Sequence, residues 1–362
     1  MGAWCQRRRA WVLITVIVSI LGLPATAAAH GPVDPAATSY LARVGEVPAG
    51  AQAKVVDGDQ RLWLQVNPAD TVVVLDYRQA PYLRFDRSGV QVNQNSEMFY
   101  LNQVPAQLPP PGLGPQTRPH WAPVSGGHSY EWHDGRLSDL AATALAPGET
   151  YLGRWQIAAR ANGASAAIAG GLYYRASPSI VWFWPILVAL ACVAAVLRLK
   201  RPELDVRVAR ILAAVALAGF TVAGIGQQLH GRPNVSLGQE IILAFALAYV
   251  VWAVRRLILR RHGWFTFFLI AAVALWEGGS LIGVLLDGYV LLALPAFVAR
   301  VAVVACLSAG IALLPVVFAM AERPGRSRPA RRASGGKPRP APAGTDSTES
   351  KDEDLEAWQP SA

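Results

Sequence analysis

The sequence predicts an extracytoplasmic, immunoglobulin-like antiparallel β-sandwich followed by a five-helix transmembrane bundle, and three observations carry that prediction. Of 362 residues 53% are apolar and 16% charged, a balance that places part of the chain in lipid rather than in one soluble globule. Apolar residues alternate in short runs up to residue 178, then gather into five long stretches. Basic residues cluster on alternate connections between those stretches, as they do where the positive-inside rule orients a membrane protein.

Residues 1–29 read as a signal peptide: Arg7, Arg8 and Arg9 precede the apolar run Trp11–Leu23, and Ala27, Ala28 and Ala29 are the small residues a signal peptidase accepts. Cleavage after Ala29 makes His30 the mature N-terminus; cleavage after Ala27 is the rival. Segment 30–178 contains 11 basic and 12 acidic residues, so the chain's net charge of +9 lies outside it. A basic nucleic-acid-binding domain is therefore not expected. Cys5, Cys192 and Cys306 all fall outside this segment, which excludes an internal disulfide and a cysteine-ligated zinc site.

Strand grammar runs through this exported segment. The expected strands are 53–56, 61–66, 71–76, 82–85, 90–93 and 98–101, with a hairpin of 151–160 and 165–175 around Asn162-Gly163. Asn-Gly is the turn that tolerates positive φ at both central positions. Between the two groups the proline-rich segment 108–123 is expected to cross as a loop, because proline cannot donate to a central ladder. About eight or nine strands in a segment of this size suggest the sandwich.

The transmembrane domain, 179–321, is expected to hold helices near 180–198, 210–229, 237–255, 264–285 and 292–319, each long enough for about 30 Å of hydrocarbon. Arg198, Lys200, Arg201, Arg207 and Arg210 occupy the first connection, Arg255, Arg256, Arg260 and Arg261 the third, and seven further basic residues the stretch from Arg323 to Arg339. Those sixteen are assigned to the cytoplasm, and only Arg232 falls on the other side. Five helices also put the basic tail, 322–362, on the cytoplasmic face, where its composition reads as disordered.

Four histidines lie in the exported segment: His30, His120, His128 and His133. An N-terminal His offers an amino and an imidazole nitrogen to copper, and a second imidazole would complete the set. A membrane-embedded polar cluster is the second candidate, because charge near the bilayer centre needs a partner. Glu277 is expected to pair with Arg300, with Gln227, Gln228, His230, Glu240 and Asp287 nearby as an outward-open cavity, and Gly279 and Gly283 are spaced for close helix packing. The third is Trp132-His133-Asp134 with Arg136: either a ligand or partner rim in which Asp134 orients His133, or a polar fastener for the proline-rich loop.

The stretch from His128 to Arg136, with Pro119-His120-Trp121, Pro81-Tyr82-Leu83-Arg84 and Tyr100-Leu101-Asn102 upstream, resembles a family of uncharacterised actinobacterial polytopic membrane proteins with a secreted β-rich domain. That family's motif reads Trp-His-Asp-His-Arg and is followed by a His-Trp pair; this chain has Gly135 for the second His and Leu137-Ser138-Asp139 where the pair would stand. The resemblance continues through Gly278-Gly279, Asp287, Leu294-Pro295 and Ala299-Arg300. It implies the architecture and brings no activity with it.

No nucleophile elbow, phosphate loop or HExxH motif is present. The expectation is a non-enzymatic, multi-pass cell-membrane protein whose exported domain binds an envelope protein, an envelope component or a metal. Copper handling through His30 and a transporter subunit are the alternatives.

Overall fold

The computed structural model describes residues 35–141, 143–230, 237–260 and 263–322, the side chains of 237–239 apart. The expected signal peptide, His30, Arg232 and the tail beyond Glu322 lie outside the described residues.

The N-terminal region is antiparallel β-structure: β1 (Ala37–Thr38), β2 (Tyr40–Glu46), β3 (Ala51–Val56), β4 (Arg61–Val66), β5 (Val72–Leu75), β6 (Pro81–Asp86), β7 (Gly89–Asn93), β8 (Trp121–Ser125), β9 (Ser129–His133), β10 (Tyr151–Ala161) and β11 (Ala164–Tyr174). A seven-stranded sheet runs in the order β2-β11-β10-β5-β6-β7-β8, and a three-stranded sheet in the order β3-β4-β9. The alternation that marks β4 in the sequence is its burial pattern: Leu62, Leu64 and Val66 point inward. They share one core with Trp132 from β9 and with Val74, Leu83, Phe85, Ile157, Ile168 and Leu172 from the larger sheet. Each such fully buried side chain contributes about 1.5–3 kcal/mol. The Asn162-Gly163 turn joins β10 to β11 with φ of 52° and 84°, and the Asn162 side chain accepts from Thr71 N at 2.8 Å.

Residues 98–101, expected as a strand, are helix α1 (Glu97–Leu101). Their four consecutive apolar or aromatic side chains carry no strand period, and Ser96 with Glu97 makes a helix start. The short helix buries Met98 and brings Asn102 back onto β9, where it receives His133 N at 2.8 Å and donates to His133 O at 3.2 Å. The end of the proline-rich segment forms β8, an edge strand on β7, which is where a ladder tolerates Pro123.

Apolar helices follow: α2 (Trp184–Arg198), entered through a 3₁₀ turn at Ile180–Phe183, α3 (Pro202–Gln228), α4 (Leu237–Ile258), α5 (Trp264–Ser280), the short α6 (Gly283–Leu286) and α7 (Ala296–Glu322). Among the described residues four helical stretches, Ile180–Arg198, Pro202–Gln228, Glu240–Ile258 and Ala296–Glu322, are long and apolar enough to cross a membrane, and Trp264–Ser280 is a shorter apolar helix. The expected 264–285 helix therefore ends early. Leu281 leaves helical geometry and the chain turns into α6. α7 is the central member, with α2, α3 and α5 packed on it. Contact is closest at small residues: a Cβ added to Gly219 would meet the Ala302 carbonyl oxygen at 2.7 Å, and one added to Gly278 would meet Leu307 at 2.8 Å. Gly279, half of the expected GxxxG pair, faces open space.

The β-region is seated on one end of these helices. β1 pairs with β12 (Tyr289–Val290), which lies between α6 and α7, in the register Ala37↔Val290 and Thr38↔Tyr289. Ala37 is buried among Leu281, Val284, Leu285 and Leu292. Ser39 Oγ donates to Asp287 Oδ1 at 2.9 Å, and Arg175 N to Ser39 O at 3.0 Å. Entry to and exit from the β-region thus meet on a single loop. Gly226 packs on Leu292 and Leu294 at this end. It follows that Arg198, Arg201, Arg207, Arg210, Arg255 and Arg256, at the opposite termini of α2, α3 and α4, lie at the far end.

A Cβ on Gly288 would fall 2.2 Å from the Arg175 carbonyl oxygen. Gly288→Ala should therefore separate the loop from the β-region exit at a cost of about 1–3 kcal/mol. The expected readout is faster protease cleavage within residues 175–183 of the detergent-solubilised protein; cleavage at the wild-type rate would show that this contact does not hold the two regions together.

Candidate functional site

Asp134 follows β9 and is fully buried, so its carboxylate requires a complete set of donors. Trp132 Nε1 donates to Oδ2 at 2.9 Å, and Arg136 donates through Nε to Oδ1 and through Nη2 to Oδ2, each at 2.8 Å. Arg136 N adds a third contact from that residue at 3.2 Å. The guanidinium in turn reaches Leu75 O at 3.0 Å through Nη1 and lies 5.0 Å from the Tyr77 ring centroid. Tyr77 OH accepts from Gly135 N at 2.8 Å. Burial, and then the Asp134 charge, raise the Tyr77 phenol above its ordinary pKa, which keeps it protonated. The motif thus ties β9 in the small sheet to the end of β5 in the large one.

Asp134 engages Trp132 and Arg136, and the His133 side chain points to the exposed face. The Asp134 carboxylate forms a charge pair with Arg136 within the loop. The His133 backbone is clasped by the Asn102 side chain.

Of the four motif positions Arg136 borders a polar hollow of about 430 Å³, lined by Tyr77, Gln79, Arg136, Asp139, Gln156 and Ala158. Gln79 stands at φ 65°, an uncommon conformation for a residue of its size. Buried Asp76 holds the turn that imposes it, accepting from Arg78 N at 2.9 Å and Ala80 N at 2.8 Å through Oδ1, and from Ser96 Oγ at 2.8 Å through Oδ2. Rim amides from Gln79 and Gln156, one carboxylate from Asp139 and one fixed guanidinium suit a ligand rich in hydroxyl or amide groups. Sequence reading found Arg136 but missed Tyr77, Gln79, Asp139 and Gln156. Nothing in a polar turn or an exposed strand glutamine marks it before the fold brings them together.

The expected metal ligands do not converge. His128 precedes β9 and His133 ends it, five residues or about 17 Å apart along extended chain, and His120 enters β8 in the other sheet, its backbone O accepting from Gln94 N. Among the described residues no group of three or more His, Cys, Asp or Glu side chains could hold a metal ion. His30, the residue on which the copper expectation turns, lies outside them.

The intramembrane polar residues fall at different levels as well. Arg300, in the second turn of α7, donates to Val284 O, Asp287 O and Gly288 O, each at 3.2 Å. It does not pair with Glu277. Gly278 packs against Cys306 and Leu307, which sets Glu277 level with a residue six positions, or about 9 Å, deeper along α7 than Arg300. Asp287 is held by Ser39. His230 sits at the β-proximal end, where burial and then the Lys54 charge lower its pKa. Gln227, Gln228 and Glu240 are exposed. Only Asp287 and Arg300 share one structural unit, the loop that carries β12.

Comparison with family models, curated proteins and solved structures finds no match for this chain.

Removing the Asp134 carboxylate leaves the largely buried Arg136 guanidinium without an anionic partner, held by carbonyl oxygens and the Tyr77 ring. Asp134→Ala should destabilise by about 3–5 kcal/mol, and replacing Asp134 and Arg136 together by Leu and Met should recover most of the loss. Thermal unfolding of the purified protein checks this. His133→Ala, at an exposed side chain, should shift the midpoint far less than Asp134→Ala; equal shifts would return His133 to the centre of the cluster.

Proposed function

We propose that the chain is a multi-pass cell-membrane protein whose β-region, an exported sandwich, recognises an envelope component, with the helices as its anchor. Five crossings are counted, the shorter α5 included, since its 17 residues reach about 25 Å and a thinned or locally deformed bilayer accommodates the difference. The gathering of basic residues at the end opposite the β-region supports placing that end and the tail in the cytoplasm. The segments that carry the resemblance to the actinobacterial family supply Trp132, Asp134 and Arg136 in one cluster and Asp287 and Arg300 in another, which supports reading the chain as a relative. A non-enzymatic role fits the absence of a recognisable catalytic motif.

The observation that carries recognition is the hollow beside Arg136. Its aromatic ring, two amides and carboxylate are the groups that hydrogen-bond and stack on saccharides or peptide backbone, and its floor is held rigid by the Asp134 pair. Preorganisation of this kind lowers the entropy lost on binding. The chemistry favours neutral polar components over anionic ones, since Asp134 already neutralises Arg136 and Asp139 adds a negative charge to the rim.

Two measurements test this reading. Single cysteines introduced at Gln156 and in the connection at Lys200 should show opposite accessibility to an impermeant maleimide in intact cells, Gln156 labelled and Lys200 protected; the reverse pattern would invert the topology. Titration of the purified protein with solubilised envelope saccharides and peptides should give binding that Gln79→Ala with Gln156→Ala weakens at least about fivefold, as lost hydrogen bonds of about 0.5–1.5 kcal/mol each imply. Affinity unchanged in the double variant would move the site elsewhere.

A further inference from the structure

At the end of the bundle away from the β-region, α3 and α4 leave a hollow of about 420 Å³ lined by Arg207, Arg210, Ile211, Ala214, Leu257 and Ile258. Its α3 wall is a single stripe, since positions 207, 210, 211 and 214 recur on one helical face. Along that stripe the chemistry changes with depth. Arg207 lies about 8 Å from the helix start at Pro202 and Ala214 about 18 Å, so on α3 the guanidinium groups sit toward the mouth and Ala214 sits inward, while Leu257 and Ile258 close the other side from the end of α4. Ile211 and Ile258 are exposed, at 63% and 71%, which in a membrane-spanning helix is surface offered to acyl chains. Among the described residues no acidic side chain pairs with Arg207 or Arg210. Arg198, Lys200 and Arg201 before the stripe, and Arg255, Arg256 and Arg260 around the end of α4, add further positive charge to the same end.

We infer that this hollow holds one anionic phospholipid, its phosphate between Arg207 and Arg210 and an acyl chain running past Ile258 and inward along Ile211 and Ala214. Two features fix the occupant. The paired guanidinium groups are donors shaped for a phosphate, and the apolar floor would be wasted on a free anion. A zwitterionic lipid brings its own cation to the mouth, where the surrounding arginines and lysine repel it. Basic recesses between membrane helices at a cytoplasmic face are suited to such headgroups. The inference rests on the reading of α3 and α4 as membrane-spanning; extraction of the native protein by alkaline carbonate would defeat that reading by itself, whatever the lipid selectivity.

Native mass spectrometry of the full-length protein in mild detergent, titrated with phosphatidylglycerol or phosphatidylcholine, provides the test. One phosphatidylglycerol should bind in preference to phosphatidylcholine. Arg207→Gln with Arg210→Gln should lower its apparent affinity about 10- to 30-fold, while Arg207→Lys with Arg210→Lys should retain most of it. Ala214→Trp, which fills the floor at an exposed position and leaves the charge unchanged, should also lower it. Arg198→Gln with Arg201→Gln, which removes two charges from the same end outside the hollow, should leave it within about threefold of wild type. Equal losses in this last pair would reduce the effect to diffuse surface attraction and overturn the site. Equal binding of the two lipids would overturn it too, as would displacement of phosphatidylglycerol by millimolar inorganic phosphate.

Discussion

A guanidinium among apolar helices must be given acceptors, and Arg300 finds three in the carbonyl oxygens of Val284, Asp287 and Gly288. The exchange satisfies both sides. Those carbonyls end a one-turn helix and would otherwise lack a protein donor, while the partly buried charge would otherwise lack protein acceptors. By holding the α6–α7 connection in one shape, Arg300 presents β12 as a ready edge for β1 and sets the Asp287 carboxylate before Ser39. Gly288 then lets the Arg175 carbonyl approach where no larger residue fits. The seating of the whole β-region therefore traces to one cation five residues into α7.

The same device recurs at Arg136, inside the β-region. There the partner set is a carboxylate plus the carbonyl of Leu75, and the elements joined are two sheets instead of a sheet and a bundle. Arginine suits both places because its planar fork serves several acceptors at once and its charge is never lost to deprotonation. The consequences of deletion differ. Without Arg136 a buried carboxylate remains, whereas without Arg300 the carbonyls of a short loop remain, and these can turn toward interfacial water. The Asp134 cluster should thus weigh more on stability, and the Arg300 loop more on how the two regions stand to each other.

Much of this fold was legible in the sequence because its signals are periodic. Alternation marked β4, Asn162-Gly163 marked the β10–β11 turn, and the long apolar stretches marked the helices, although α3 begins at Pro202, eight residues before the expected start, and takes in Arg207 and Arg210, which were assigned to the connection. The failures share a cause: each concerned a segment whose conformation is decided by distant contacts. Residues 98–101 have a strand composition, yet they coil so that Asn102 can clasp the backbone of His133. The apolar run 264–285 reads as one helix, yet it breaks at Leu281 because the following turn must pair with β1. Charge pairing was misjudged in the same way. Glu277 and Arg300 are opposite in sign and similar in rough depth along the sequence, but the break in the helix shifts their levels, and backbone oxygens, which no sequence pattern displays, take the cation instead.

The manner of seating also bears on what the β-region can recognise. A domain on a flexible tether samples many orientations and meets soluble ligands as well as fixed ones. Here the entering chain at Ala37 and the leaving chain at Arg175 both bind the 287–290 loop, so rotation about either connection would break the other. In the membrane-anchored reading, the hollow beside Arg136 is held at one height and angle above the bilayer. Such a geometry gains nothing for a freely diffusing solute, which can approach from any side. It favours a ligand that is itself fixed relative to the membrane, because the entropy of alignment has already been lost in folding and need not be lost again on binding.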